Sequence, residues 1–74
     1  MLEKTIEKLE KEMMDLDYQL KKVIPKEILK ARELGDLSEN AEYHAAKERQ
    51  RLTETRISHI QGRIRDLKNI DLSK

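Results

Sequence analysis

Apolar side chains return along the first third of this sequence in steps of four and three. Leu2, Ile6, Leu9, Met13, Leu16, Leu20 and Val23 form a seam sustained over three heptads, with polar residues at most other positions. A helix carrying one apolar stripe must bury it against something. The second half of the chain supplies the partner. Read backwards, Ile70, Leu67, Ile64, Ile60 and Ile57 continue to Leu52 or Thr53, then to Ala46 or Ala45, then to Tyr43. In an antiparallel hairpin, the numbers of facing residues have a constant sum. Ile6 with Ile70, Leu9 with Leu67, Leu16 with Ile60, Ile24 with Leu52 and Ala31 with Ala45 sum to 76; Met13 with Ile64 and Leu20 with Ile57 sum to 77. Seven apolar pairs on one register predict an all-α fold, a two-helix antiparallel coiled-coil hairpin turning near Ser38. Each arm, about 30 residues long, would run roughly 45 Å at 1.5 Å per residue. Alanines replace Leu and Ile toward the turn, so the arms can approach closely there. Because the hairpin buries its own seam, a monomer is expected.

The first arm carries one irregularity. After Leu20 the seam passes to Ile24, Ile28 and Ala31 with steps of four in succession, which relaxes a left-handed supercoil. Pro25 sits in this stretch, lacking a backbone donor and crowding the preceding turn. Either the helix bends there, or two helices meet with Pro25 near an N-terminus. The apolar stripe continues on both sides, so a single helix bent near Pro25 is expected. Between the arms lies ELGDLSEN, residues 33–40, with the helix-stopping Gly35 and the capping types Asp36, Ser38 and Asn40.

Composition narrows the function classes. The chain has 74 residues, 42% of them charged and 36% hydrophobic, with no Cys, Trp or Phe. Residues 1–74 read as one small domain. Disulfides and a thiolate zinc site are ruled out, and the lack of Cys suits a reducing cytoplasm. No apolar run approaches the roughly 20 residues that span a bilayer, so no membrane role is expected. The charged start MLEKTIEKLEKE does not read as a signal peptide. Too few large apolar residues are present to wall an enclosed catalytic pocket, so the chain is not expected to be an enzyme by itself.

Charge is segregated along the hairpin. Residues 1–17 hold six acids and three lysines, net −3; residues 18–32 hold five bases and Glu27, net +4. Residues 33–42 hold Glu33, Asp36, Glu39 and Glu42 without a base, net −4, and residues 43–68 hold seven bases and three acids, net +4. Folding back brings Lys21, Lys22, Lys26, Lys30 and Arg32 to the height of Lys47, Arg49 and Arg51, so an acidic tip stands on a basic collar. A purely structural coiled coil would more often intersperse its signs. Segregation suggests a collar that meets phosphate and a tip that meets a cation.

Asp36 and Glu39, three apart at a tight turn, can present two carboxylates on one edge. Mg²⁺ often takes only one or two protein carboxylates and keeps waters or substrate phosphates. The competing reading is structural, with Asp36 as a helix N-cap and Glu39 its capping-box partner. Glu33 precedes the glycine stop and Glu42 reads as exposed helix surface. His44 and His59 lack partners at metal-ligand spacing, apart from Glu48 four residues after His44, where a surface hydrogen bond is the simpler reading. Tyr43 is placed across the hairpin near Leu34. Tyr18 and Tyr43 are the only aromatics, so stacking on single-stranded bases is not supported.

The segment ARELGDLSENAEYHAAKERQ, residues 31–50, resembles the tip of bacterial transcript cleavage factors of the Gre family, and its GDLxENAEYHAA core is long and contiguous. The resemblance extends over essentially the whole chain, through the lower helix, tip, returning helix and closing IDLSK stretch, and identifies residues 1–74 as a Gre-type N-terminal coiled-coil domain. It implies a hairpin that enters the secondary channel of bacterial RNA polymerase and reaches the active centre of a backtracked enzyme. There two tip acids, matched here by Asp36 and Glu39, would help hold the polymerase's second Mg²⁺ and orient a water, and the polymerase would cut its own extruded RNA. The chain needs no cofactor of its own on this reading. Arg32 and Lys47 match the family's basic patch toward the nascent RNA 3′ end. Lys47 stands where the family often has Arg, keeping the charge but losing the planar fork. Family members continue into an FKBP-like C-terminal domain that has no counterpart in residues 1–74, so weaker polymerase binding with intact tip chemistry is expected. A secondary-channel inhibitor and a plain structural coiled coil are the alternatives. An inhibitor would use a larger tip acid cluster, whereas Ser38 is uncharged here.

Overall fold

The computed structural model describes residues 2–72, so Ser73 and Lys74 of the closing stretch lie outside the described residues. Every regular element among them is helical: α1, Leu2–Tyr18; a π-helical turn, Gln19–Val23; α2, Ile24–Arg32; and α3, Ala41–Leu72. α1, the π turn and α2 follow one another without a non-helical residue and make one arm. α3 makes the other. Arg56 Nε donates to Glu12 at 2.7 Å, while Arg49 donates to Glu27 at 2.5 Å and to Gln19 at 3.1 Å. These links run down one arm as they run up the other, so the arms are antiparallel. Met13, Met14 and Asp17 share a shallow depression with Ile57 and Gln61 across the same interface. The product is a thin rod, with Cα extents of 57 × 17 × 13 Å. The expected all-α coiled-coil hairpin is what the chain forms.

The core is a narrow strip. Ile24 and Ala31 are buried on the first arm; Ala46, Thr53, Ile60, Ile64 and Leu67 are buried on α3. Leu2, Ile6, Leu9, Met13, Leu16, Leu20 and Val23 are half-buried. With one partner helix, an apolar side chain in the seam keeps one flank in water. On α3, Gly62 apart, the half-buried and buried residues are Tyr43, Ala46, Gln50, Thr53, Ile57, Ile60, Ile64 and Leu67. Their steps alternate three and four without a break, a regular heptad with one glutamine and one threonine in it.

The expected pairs that used Leu52, Ala45 and Ile70 therefore need correcting, and the alternatives Thr53 and Ala46 hold. Leu52 is 53% exposed, Ala45 is exposed, and Ile70 is 50% exposed. Thr53 and Ala46 take the first two places, and opposite Ile24 and Ala31 they give sums of 77. Helix geometry outranks side-chain hydrophobicity here: Leu52 lies one residue off the heptad, about 100° around the helix axis. Thr53 can occupy the core because its Oγ1 donates to the Arg49 carbonyl at 2.8 Å, leaving no unmet donor. Ile70 follows Leu67 by three where the heptad requires four.

The irregularity near Pro25 resolves as a widened turn. Leu16, Leu20, Ile24 and Ile28 are three steps of four in a row, more than a helix of 3.6 residues per turn can keep on one face. The π turn absorbs the excess. The Ile24 N–H bonds to the Gln19 carbonyl five residues back, and Val23 stands at φ −92°, ψ −53°. Pro25 follows at once, at the start of α2, where its missing donor falls on a turn that is already irregular. The first arm is thus continuous, as expected, and its regularity breaks at Gln19–Val23, just before the proline.

Candidate functional site

Residues 33–40 join the arms. α2 closes with Glu33 N–H on the Leu29 carbonyl at 3.3 Å, Leu34 on Ala31 at 3.1 Å and Gly35 on Arg32 at 3.4 Å. Gly35 then takes φ +121°, a backbone state L side chains rarely adopt. No atom lies within 4 Å of where a Cβ would stand, so the glycine is required by conformation rather than by space.

α3 is started by Asn40. Its Oδ1 accepts the Tyr43 N–H at 3.0 Å, an N-cap bond, while its Nδ2 donates back to the Ala31 carbonyl at 2.5 Å. One side chain therefore caps the second arm and ties it to the end of the first. The capping role considered for Asp36, with Glu39 as its box partner, is not the one observed. Asp36 lies four residues before Asn40 and makes its own turn instead. Its Oδ1 accepts the Ser38 N–H at 3.0 Å and the Ser38 hydroxyl at 2.8 Å. Both bonds favour the charged form, the hydroxyl bond first, and hold the Asp36 carboxyl below the usual aspartate range. Both also fall on Oδ1, so Oδ2 is outside them. Glu39 is exposed and makes no hydrogen bond or ion pair among the described residues. The tip thus presents two exposed carboxylates within one turn.

Among the described residues, no three His, Cys, Asp or Glu side chains gather closely enough to hold a metal ion together. Two exposed carboxylates are too few to enclose a metal ion alone.

The collar is smaller than its residue count. Arg49 is paired with Glu27, Lys21 with Asp17 at 3.2 Å, and Arg51 with Glu48. Lys22, Lys26, Lys30 and Arg32 are exposed without an ion pair among the described residues. Lys47 is exposed and donates to Gln50 at 3.1 Å. Arg32 closes α2 directly below the turn, and Lys47 lies in the second turn of α3. Both residues of the expected phosphate patch flank the tip and face solvent.

His44 was legible only as a surface histidine beside Glu48. Glu48 instead bonds Arg51, and His44 Nε2 meets the Ser38 carbonyl at 3.2 Å. Its ring is met edge-on by Tyr43, centroids 5.7 Å apart. Leu34, expected near Tyr43, is 64% exposed.

The family model for the N-terminal domain of the GreA and GreB transcription elongation factors matches residues 1–68. The chain belongs to this family. Three relatives, each called transcription elongation factor GreA, agree. That of Sulfurovum sp. (strain NBC37-1) is 55% identical over 60 residues, 81% of this chain and 37% of the relative. That of Nautilia profundicola is 53% identical over 64 residues, 86% and 35% of the two chains. That of Pseudomonas syringae pv. tomato is 46% identical over 65 residues, 88% and 41%. The chain spans less than half the length of these curated GreA relatives, and no solved structure matches it. The Gre resemblance borne by residues 31–50 is thereby confirmed at the level of the family. No helix among the described residues is long and apolar enough to cross a membrane.

Proposed function

We propose that this hairpin is the catalytic probe of a transcript cleavage factor, entering the secondary channel of bacterial RNA polymerase and stimulating the polymerase to cut backtracked nascent RNA. The observation that carries the reading is the capping arrangement. Asn40 starts α3, so Asp36 and Glu39 are not consumed in holding the helix and stand exposed at the end of a 57 Å rod. A two-helix rod whose Cα atoms lie within 17 × 13 Å in cross-section suits a narrow channel, and carboxylates at its end suit a cation at the channel's floor.

In this account the chain is an accessory factor: Asp36 and Glu39 would help hold Mg²⁺ of the polymerase active centre, which would supply Lewis acidity. The chain's own contribution is placement. Ser38 holds the Asp36 carboxylate charged and oriented through Oδ1, leaving Oδ2 for the shared ion. Glu39, without a partner among the described residues, is available to accept a hydrogen bond from the attacking water. Lys22, Lys26, Lys30, Arg32 and Lys47 lower the cost of bringing RNA phosphates past an acidic tip.

The test is the rate of RNA 3′-end cleavage in stalled, backtracked polymerase complexes with and without the chain. Faster cleavage supports the proposal. Unchanged cleavage returns the hairpin to a structural coiled coil, and slowed cleavage makes it an inhibitor of the same channel.

A further inference from the structure

We propose that His44 is a positioning residue that holds the Asp36 carboxylate in place through Ser38; this rests on the role just proposed for Asp36. The tip turn has few anchors. Residues 33–39 are all exposed, so burial does not hold them. The turn is fixed at its start by the end of α2 and at its end by Asn40. Between these points, among the described residues, the hydrogen bond from residues 36–39 to a rigid element is the contact from His44, on the first turn of α3, to the Ser38 carbonyl.

The donor assignment follows from the acceptor. A carbonyl oxygen only accepts, so Nε2 must carry the proton in this contact. The Tyr43 ring, meeting the imidazole edge-on at an interplanar angle of 67°, restricts the rotation of the donor. Ser38 is then held at its carbonyl while its N–H and hydroxyl both point to Asp36 Oδ1. A relay of two links thus runs from α3 to the carboxylate: His44 to Ser38 by one hydrogen bond, and Ser38 to Asp36 by two. Helical elements hold geometry better than loops, and reacting groups lose rate steeply when displaced by about 1 Å. His44 lends the helix's rigidity to a turn that has little of its own.

The experiment uses the full chain on backtracked polymerase complexes, reading the cleavage rate at saturating chain and the concentration giving half that effect. His44→Ala is expected to slow the saturated rate roughly tenfold while leaving the half-saturating concentration within about twofold. His44→Gln, which keeps an N–H donor at similar reach, is expected to restore most of the rate. A parental rate in His44→Ala, or no rescue by His44→Gln, overturns the proposal. His44 is exposed, so both variants should melt with the parent, and thermal melts check this. A second readout is independent of cleavage. Backbone order parameters for residues 37–39 are expected to drop from about 0.85 toward 0.6 in His44→Ala and to recover in His44→Gln. If the parent chain fails to stimulate cleavage, the proposed function falls, and unchanged order parameters at the tip then overturn the positioning role as well.

Discussion

The shaft and the tip of this hairpin are held by different forces. In the shaft, apolar side chains are removed from water: Ile24 is fully buried and Ile60 is 2% exposed. At the tip, residues 33–39 are all exposed and the shape comes from a positive-φ glycine and a handful of hydrogen bonds. Burial contributes stability in proportion to area, whereas exposed hydrogen bonds compete with water and contribute little net. The difference separates the tasks. The shaft can be stable without chemistry, and the tip can present carboxylates without destabilising the rod.

The largest expected effect lies in the shaft. Ile60→Ala should cost about 2–5 kcal/mol in a denaturant melt, a large share of what a domain this small can hold. Its control is Leu52→Ala, which removes the same kind of side chain from a position 53% exposed. That change should stay within about 0.5 kcal/mol of the parent. Equal losses at the two positions would undo the heptad through Thr53 and return the seam to Leu52.

At the border between shaft and tip the expected effect is intermediate. Asn40→Ala removes the cap of α3 and the tie to Ala31, and should cost about 1 kcal/mol in thermal melts. Asp36→Ala removes no cap and should melt near the parent. The reverse ranking would make Asp36 the cap after all.

Acid tests the polar links directly. Glu12 is held below the usual glutamate range chiefly by its hydrogen bond to Arg56, Glu48 by Arg51, and Asp36 by Ser38. A carboxylate lowered in the folded state contributes stability that is complete above its ordinary range and is lost as pH falls through the lowered value. Thermal stability should therefore decline on acidification below the usual carboxylate range. Glu12→Gln, which cuts the link between the arms, should flatten part of that decline. A parental pH profile in this variant would remove the Glu12–Arg56 pair from the balance.

The smallest effect on the fold belongs to the collar. Reversing Arg32 and Lys47 to Glu should leave the melt nearly unchanged, since both are exposed. The same double reversal should weaken salt-sensitive association with polymerase complexes and slow RNA cleavage. Unchanged cleavage would take the collar out of the mechanism.

Much of this was legible in the sequence, for identifiable reasons. Apolar spacing is a one-dimensional signal of helix geometry, so the hairpin, its turn near Ser38 and the irregular stretch around Pro25 could be read directly. The seam was left open between Leu52 and Thr53, where side-chain type and heptad position disagree, and between Ala45 and Ala46, where side-chain type cannot choose; the pairing took Leu52 and Ala45, and the buried residues are Thr53 and Ala46. A strict count of four back from Ile57 selects Thr53 of the two candidates and places a hydroxyl in the core. The carboxylates at Asp36 and Glu39 stood out because no base interrupts that stretch. What could not be read was which of Asp36, Ser38 and Asn40 caps α3, because all three are capping types. Likewise, the contact between His44 and the Ser38 carbonyl depends on a turn whose path no periodicity encodes.

The central claim is that affinity resides in the shaft and collar while the tip carboxylates act on the reaction. The most direct measurement is the saturated cleavage rate of backtracked complexes with Asp36→Ala and Glu39→Ala, taken with their polymerase affinities and melting curves. Each variant is expected to lose most of the stimulation, with affinity and melting close to the parent, because an interaction made mainly in the transition state changes rate more than binding. Folded variants that still stimulate cleavage like the parent would contradict the account.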